Sequence, residues 1–297
     1  MDYHFIADSA ADLPDSIIEK YDIDVFPLYV HHGDHAFKDR IEISPEELYK
    51  NMKKEKVYKT SQVTVNDFLV KFEEYAKKKE TVIYLAFSSE LSGTFQSAVL
   101  AKEQIKEEYP QFDLTIIDSR CASMGVGLAI YNTIDDIENQ IIDRKNKDEV
   151  VKRVCYYAEH MEHIFTVDDL DYLVRGGRLN KVSGFVGGIL NIKPIISIED
   201  GVLKPREKKK GRKRVLKRII EIMEERGTNL KEQKVAIIHA DAKKDAKKLE
   251  KMIDKRFNPE SIIVHTIGAV IGAHAGPGAL GVFFINDNRE KNKVKIK

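Results

Sequence analysis

Short β-branched runs alternate with amphipathic helical stretches through the first half of this 297-residue chain, and that alternation narrows the possible folds more than any other feature. Phe5-Ile6-Ala7, Val25 to Val30, Val82 to Phe87 and Leu114 to Ile117 read as strands. Pro14 opens a helix carrying Ile17, Ile18 and Tyr21, with the proline near its first turn. Ser44-Pro45-Glu46-Glu47 is a second helix start, serine as cap and acids in the first turn. Thr64 is placed to cap a third, whose apolar face includes Phe68, Leu69, Phe72 and Ala76. A fourth bears Ala98, Ala101 and Ile105. Strand, polar loop and helix in repetition is the signature of a parallel sheet with helices on both faces.

A long helical pattern from about Ala122 to Glu159 separates this half from the next. Beyond it, strands are predicted at Ile164 to Val167, Ile195 to Ile198, Val235 to Ile238, Ile262 to Val264 and Val282 to Ile285, with amphipathic helices between them. The best of these helices has the buried stripe Val215, Leu216, Ile219, Ile220 and Met223. The length exceeds what one core comfortably fills, so an α/β protein of two domains is expected, 1–158 and 159–297.

Composition closes off several classes of function. With 49 basic against 48 acidic residues the net charge is +1, which argues against a general nucleic-acid binder. Charge is nevertheless concentrated: Lys204 to Arg218 holds ten basic residues and one acid, Glu207. Such a density points to an acidic or phosphorylated partner, and a nucleic-acid arm competes with it, weakened by the absence of interleaved aromatics. Cys121 and Cys155 form neither a disulfide framework nor a zinc quartet, and no zinc spacing surrounds them. His31-His32 and the pair His160 and His163 lie near acids, but read as scattered surface histidines. Met1 to His4 lacks the basic region of a signal peptide, and no apolar run reaches the roughly 18 residues of a membrane span. A cytoplasmic protein without stable membrane insertion is expected.

Five of the 17 glycines fall between Gly268 and Gly281, around His274. Between apolar strand signals this reads as a glycine-lined turn presenting an imidazole, with a tight hairpin and surface histidine as the plainer alternative. Ser92-Gly93-Thr94 follows a strand and precedes a helix, where hydroxyls and free amides could hold an anion or simply cap the helix. Thr60-Ser61-Gln62 is another hydroxyl-rich strand end. Arg178, beside Gly176-Gly177, could grip a carboxylate or phosphate, or bridge domains. Ser92 and His274, oriented by Asp8, form a conceivable nucleophile and base, giving a Ser/His hydrolase or transferase of small acyl or phosphorylated substrates as an alternative function. No phosphate loop and no Gly-x-Ser-x-Gly elbow appears.

Taken in order, these segments resemble the DegV family of bacterial proteins. The matching pieces are Asp8 to Pro14, Val25 to Leu28, Ile43 to Glu47, Thr60 to Gln62, Ser88 to Thr94, Asp118-Ser119 with Ser123-x-Gly125-x-Gly127, Leu173 to Arg178, Asn191 to Pro194, and His274 to Gly278. The resemblance implies a Rossmann-like N-terminal domain with a parallel sheet and a C-terminal, lipid-binding α/β domain with a mixed or antiparallel sheet. It further implies a bound long-chain fatty acid such as palmitate, C14–C18 in length, and no cofactor. The acid would be presented to a separate ATP-dependent fatty acid kinase subunit, this chain being the non-catalytic partner. By the same resemblance Thr60, Ser92 and His274 bind the carboxylate, Ser61, Gly93, Thr94 and Arg178 support the head group, and basic Arg206 faces the kinase. Phe185, Val186, Ile189, Leu190, Ile195 and Phe283 are candidates for the acyl tunnel. Two departures stand out: Val63-Thr64 where the family commonly has proline, and Glu90, expected to face solvent, near the proposed carboxylate site.

Overall fold

The computed structural model describes residues 3–179, 191–288 and 293–297. Strands β1 (Tyr3–Asp8), β2 (Asp24–Phe26), β3 (Tyr29–His32), β4 (His35–Lys38), β5 (Lys59–Ser61), β6 (Thr81–Ala86) and β7 (Leu114–Asp118) occur in the first half. They are interleaved with helices α1 (Asp15–Tyr21), α2 (Pro45–Met52), α3 (Val65–Lys78), α4 (Thr94–Glu108), α5 (Met124–Glu138) and α6 (Lys147–His160). The second half contains β8 (Met161–Thr166), α7 (Asp171–Arg175), β9 (Ile192–Glu199), β10 (Val202–Lys210), α8 (Arg212–Arg226), β11 (Lys234–His239), α9 (Lys243–Phe257), β12 (Ser261–Thr266), α10 (Ala269–Ala275), β13 (Leu280–Ile285) and β14 (Lys295–Ile296).

The first sheet has the order β14-β7-β6-β1-β2, parallel throughout except for the antiparallel β14. It therefore draws on both halves of the chain. The second sheet, β10-β9-β8-β13-β11-β12, is antiparallel apart from the parallel pair β11 and β12. The α/β fold with one parallel-rich and one mixed, mainly antiparallel sheet is the one anticipated. A third sheet, β4-β3-β5, was not.

Local chemistry accounts for the elements. Thr64 closes a reciprocal capping box with Asp67 at the start of α3, and Ser44 caps α2 through the Glu47 N–H. The run Val25 to Val30, expected as one strand, divides at Pro27 between the first and third sheets. Proline offers no N–H to continue a ladder, and the next N–H, of Leu28, donates to Ser9 Oγ at 3.1 Å. The helical pattern from Ala122 to Glu159 likewise resolves into α5 and α6, with Asn146 capping α6 through the Glu149 N–H.

Alternation along the strands of the second sheet separates two cores. Ile164, Val235, Ile237, Val282 and Phe284 pack with Val215, Leu216, Ile219 and Met223 of α8 and Leu249 and Ile253 of α9. Full burial of each such side chain contributes about 1.5–3 kcal/mol. Ile196, Ile198, Ile238 and Phe283 join the core of the first sheet. The inner face of the second sheet is thereby sealed onto the first half of the chain, and the candidate site lies along that seam.

Candidate functional site

The third sheet delivers the first hydroxyl. Thr60 on β5 pairs with Val30 on β3, and Gln62 follows with its side chain lying over Gly93. A Cβ on Gly93 would overlap Gln62 Oε1 and sit 2.8 Å from its Cδ, so a larger residue here would push the end of the Gln62 side chain aside. Gln62 then donates to Ser97 Oγ at 2.7 Å. In the adjoining turn Ser92 Oγ accepts the Thr94 N–H at 3.2 Å and lies 2.9 Å from Thr94 Oγ1. Thr94 Oγ1 also accepts the Val63 N–H at 3.4 Å. The Thr60 strand and the Ser92 turn are thus locked side by side.

The second half of the chain supplies the imidazole. His274 stands in the last turn of α10 with Nε2 2.6 Å from Thr60 Oγ1. Its Nδ1 is buried with no hydrogen-bond partner among the described residues, against Gly176 at the end of α7. Burial, and then the nearby charge of Arg178, lowers the His274 pKa to about 4, so the ring is neutral at pH 7. Arg178 donates from Nε to the Leu91 carbonyl at 3.0 Å and from Nη1 to the Gly176 carbonyl at 2.7 Å. It consequently joins the double-glycine segment to the residue preceding Ser92. Desolvation lowers its pKa, but a guanidinium stays charged.

Thr60, Ser61, Ser92, Arg178 and His274 all line one cavity with about 860 Å³ of unfilled space, its mouth included. Most of the remaining wall is apolar, with Leu28, Phe87, Leu91, Ile198, Leu203, Ile238, Val270 and Phe283 among its residues. A pocket with this lining suits an amphipathic molecule. An anionic head in such a place would cost several kcal/mol unless paired and hydrogen-bonded, and the hydroxyls with a fixed guanidinium meet that need.

Gly93 and Thr94 lie behind the cavity surface, where they brace Ser92. Phe283 is on the wall, whereas Ile195 packs with α8 in the other core. Phe185, Val186, Ile189 and Leu190 lie outside the described residues. Glu90 pairs with Arg120 at 2.5 Å and does not line the cavity. The glycine cluster is not a turn between adjacent strands: β11 separates β12 from β13, and Ala269 to Ala275 winds up as α10 behind the N-cap Gly268. Gly272 there lies against Tyr49, and positive φ is confined to Gly276 and Gly278. Sequence reasoning missed two cavity residues, Ser123 and His163. His160 and His163, read as surface residues, are buried. His163 Nε2 accepts the Ala122 N–H at 3.3 Å, and the ring packs edge-on to Phe283.

The basic run is divided between β10 and α8. Alternation on β10, an edge strand, exposes Lys204, Arg206, Lys208 and Lys210. Arg206 donates to Ser197 Oγ at 2.9 Å and pairs with Glu199. Arg218 is taken up by Glu207 and Glu225, while Lys213, Arg214 and Lys217 on α8 stay exposed beside the strand.

The nucleophile and base arrangement is not assembled. His274 Nε2 meets Thr60 rather than Ser92, and among the described residues no acid orients Nδ1. The Asp8 carboxylate is committed to Tyr84 OH, the Phe87 N–H and the Ala10 N–H. Among the described residues no group of three or more His, Cys, Asp or Glu side chains could hold a metal ion. No helix of these residues is long and apolar enough to cross a membrane.

The sequence model of the DegV family, described as uncharacterised protein, matches residues 3–287. The chain belongs to the DegV family. A DegV domain-containing protein of Clostridium perfringens is 38% identical over 295 residues, covering 95% of this chain and 97% of the relative. The DegV fold is equally plain in solved structures. A Thermotoga maritima protein, described as revealing a fatty acid binding function, is 32% identical with a TM-score of 0.80, over 96% of this chain and 99% of that one. The Streptococcus pneumoniae Fatty Acid Kinase B3 protein loaded with linoleic acid has a TM-score of 0.83 over 96% and 100% of the two chains, and at 23% identity it speaks to the fold alone.

Proposed function

We propose that this DegV protein is a cytoplasmic, non-catalytic carrier that holds a long-chain fatty acid and presents it to a separate ATP-dependent kinase subunit for acyl-phosphate formation. The observation that carries the reading is the apolar cavity whose polar groups, drawn from three distant parts of the sequence, include Thr60, Ser92, His274 and Arg178. Thr60, Ser92 and His274 receive the carboxylate. Ser61, Gly93, Thr94 and Arg178 complete the head-group site, Gly93 and Thr94 by holding Ser92 in place.

The neutral imidazole favours binding over proton chemistry at rest. With a pKa of about 4 it enters the complex uncharged, and the cationic partner for the acid is Arg178. The fatty acid binding named for the Thermotoga maritima relative agrees with this chemistry. The exposed basic face of β10, with Arg206 at its centre, is the surface assigned to the kinase.

Equilibrium dialysis with radiolabelled palmitate tests the site. Wild type should bind one equivalent, and Ser92→Ala and Arg178→Ala should each weaken binding about tenfold or more, the order lost with a charge-assisted hydrogen bond. Unchanged affinity in both variants would remove the carboxylate from this end of the cavity.

A further inference from the structure

The helix that carries His274 is gripped at its root by the first half of the chain. Asp12 Oδ1 accepts the Gly268 N–H at 2.8 Å, Asp39 Oδ1 accepts the Ala269 N–H at 3.2 Å, and Tyr49 OH donates to the Ile267 carbonyl at 2.7 Å. Three consecutive residues are held by three buried side chains, none more than 2% exposed. The other Asp12 oxygen, Oδ2, accepts the hydroxyl of Ser123. Ser123 heads α5 at φ 53° and ψ −141°, a conformation costly for a residue with a Cβ. Ser123 and His274 both line the cavity. One carboxylate therefore ties together two parts of its wall that are 151 residues apart in sequence.

We propose that Asp12 is a positioning residue of the ligand site, whose buried carboxylate sets the helix of His274 and the strained Ser123 corner in one geometry. This rests on the fatty-acid reading of the cavity only for the ligand used in the test.

The groups facing Asp12 define its electrostatics. Asp39 repels it and Arg40 attracts it, both from the end of β4, while Tyr49 approaches from α2, Ser123 from α5 and Gly268 from α10. Asp8 on β1 faces Asp39, and His265 on β12 faces Arg40 with Asp15. Arg40 is itself engaged by Asp15 and by the Leu13 carbonyl at 2.7 Å. Burial dominates and raises the Asp12 pKa to about 7. A carboxylate whose folded-state pKa lies above its unfolded value lowers stability once ionised. A residue that served the fold alone would be better replaced by a neutral amide. The return on its charge is stronger hydrogen bonding to Gly268 and Ser123, since bonds to an ionised acceptor are about twice as strong as neutral ones.

The test is Asp12→Asn, in which the amide carbonyl can still accept from Gly268 and the NH₂ can donate to Ser123 Oγ. At pH 8 the variant should melt at a higher temperature than wild type, yet bind palmitate roughly fivefold more weakly. Its His274 imidazole nitrogen resonances should move in the ligand-free protein. Ser123→Ala, which keeps the Asp12 charge and removes one donor, should shift the same resonances. Melting temperature and affinity falling together would make Asp12 an ordinary structural residue. Unchanged affinity and unchanged imidazole resonances would equally overturn the proposal. If wild type takes up no palmitate, the ligand reading fails by itself, and the imidazole resonances alone decide the positioning.

Discussion

Gly176→Ala isolates the contribution of the His274 ring position. The backbone of Gly176 has φ −71° and ψ −9°, which alanine adopts without strain. Its Cβ, however, would overlap His274 Nδ1 and lie 2.9 Å from Cε1 and 3.1 Å from the Tyr172 carbonyl oxygen. Tyr172 O belongs to the helix backbone, so the imidazole is the part that must move. A retreat of about 1.5–2 Å restores contact to roughly 3.5–4 Å. A shift of that size is enough to disrupt the 2.6 Å approach of Nε2 to Thr60 Oγ1. Losing one such bond at a partly buried site costs about 0.5–1.5 kcal/mol, and leaving a buried partner unsatisfied costs about 1–3 kcal/mol. Palmitate affinity should accordingly fall about tenfold, while removal of glycine from the unfolded chain offsets about 0.4–1 kcal/mol of any loss in stability. Calorimetric titration of Gly176→Ala, His274→Ala and the double variant measures the coupling. Strong non-additivity is expected, because both changes act on one ring. Wild-type affinity in Gly176→Ala, or strict additivity, would refute the reasoning.

Other consequences follow from the same geometry. Gly93→Ala should weaken palmitate binding only a few-fold, because its Cβ displaces the end of the flexible Gln62 side chain and breaks the bond to Ser97, as dialysis against wild type would register. Arg206→Ala should leave palmitate affinity unchanged and reduce acyl-phosphate formation when a cognate kinase is supplied, and an equal rate would detach β10 from that role. Asp12 and Asp8, raised by burial to about 7 and about 6, make the fold less stable as pH climbs from about 4 to 7, since the unfolded carboxyls ionise first. For Asp12 the loss is on the order of 4 kcal/mol at pH 8, and urea unfolding of wild type against Asp12→Asn at pH 5 and pH 8 should show it as a pH-dependent gap. A gap independent of pH would mean that Asp12 does not titrate in this range.

The sequence carried the fold more legibly than the site. Periodicity located the strands of both main sheets except β10 and β14, because each of the others is a continuous or alternating apolar run, whereas β10 is a basic stretch and β14 only two residues long. The third sheet escaped notice, since His35 to Lys38 and Lys59 to Ser61 are short and polar and acquire strand geometry from pairing with β3. Glycine content misdirected the reading of 268–281. Gly268 and Gly272 are small because Asp12 and Tyr49 approach them, a tertiary cause with no local signature. The same holds for His163, whose place on β8 puts it against Ala122 and Phe283 rather than in water. The carboxylate roles of Thr60 and His274 came through the family resemblance; their 2.6 Å contact spans 214 residues, and no spacing rule reaches that far. Arg178 shows the intermediate case. Its chemistry was legible beside two glycines, but its choice of the Leu91 carbonyl was set by the seam between the two halves of the chain.

The central claim is that the cavity holds a fatty acid, and denaturing extraction of the purified protein followed by mass spectrometry of the released lipid tests it most directly. The account predicts close to one equivalent of a C14–C18 acid from wild type and much less from the Ser92→Ala, Arg178→Ala double variant. An empty extract from folded protein, together with no uptake of added palmitate, would contradict it.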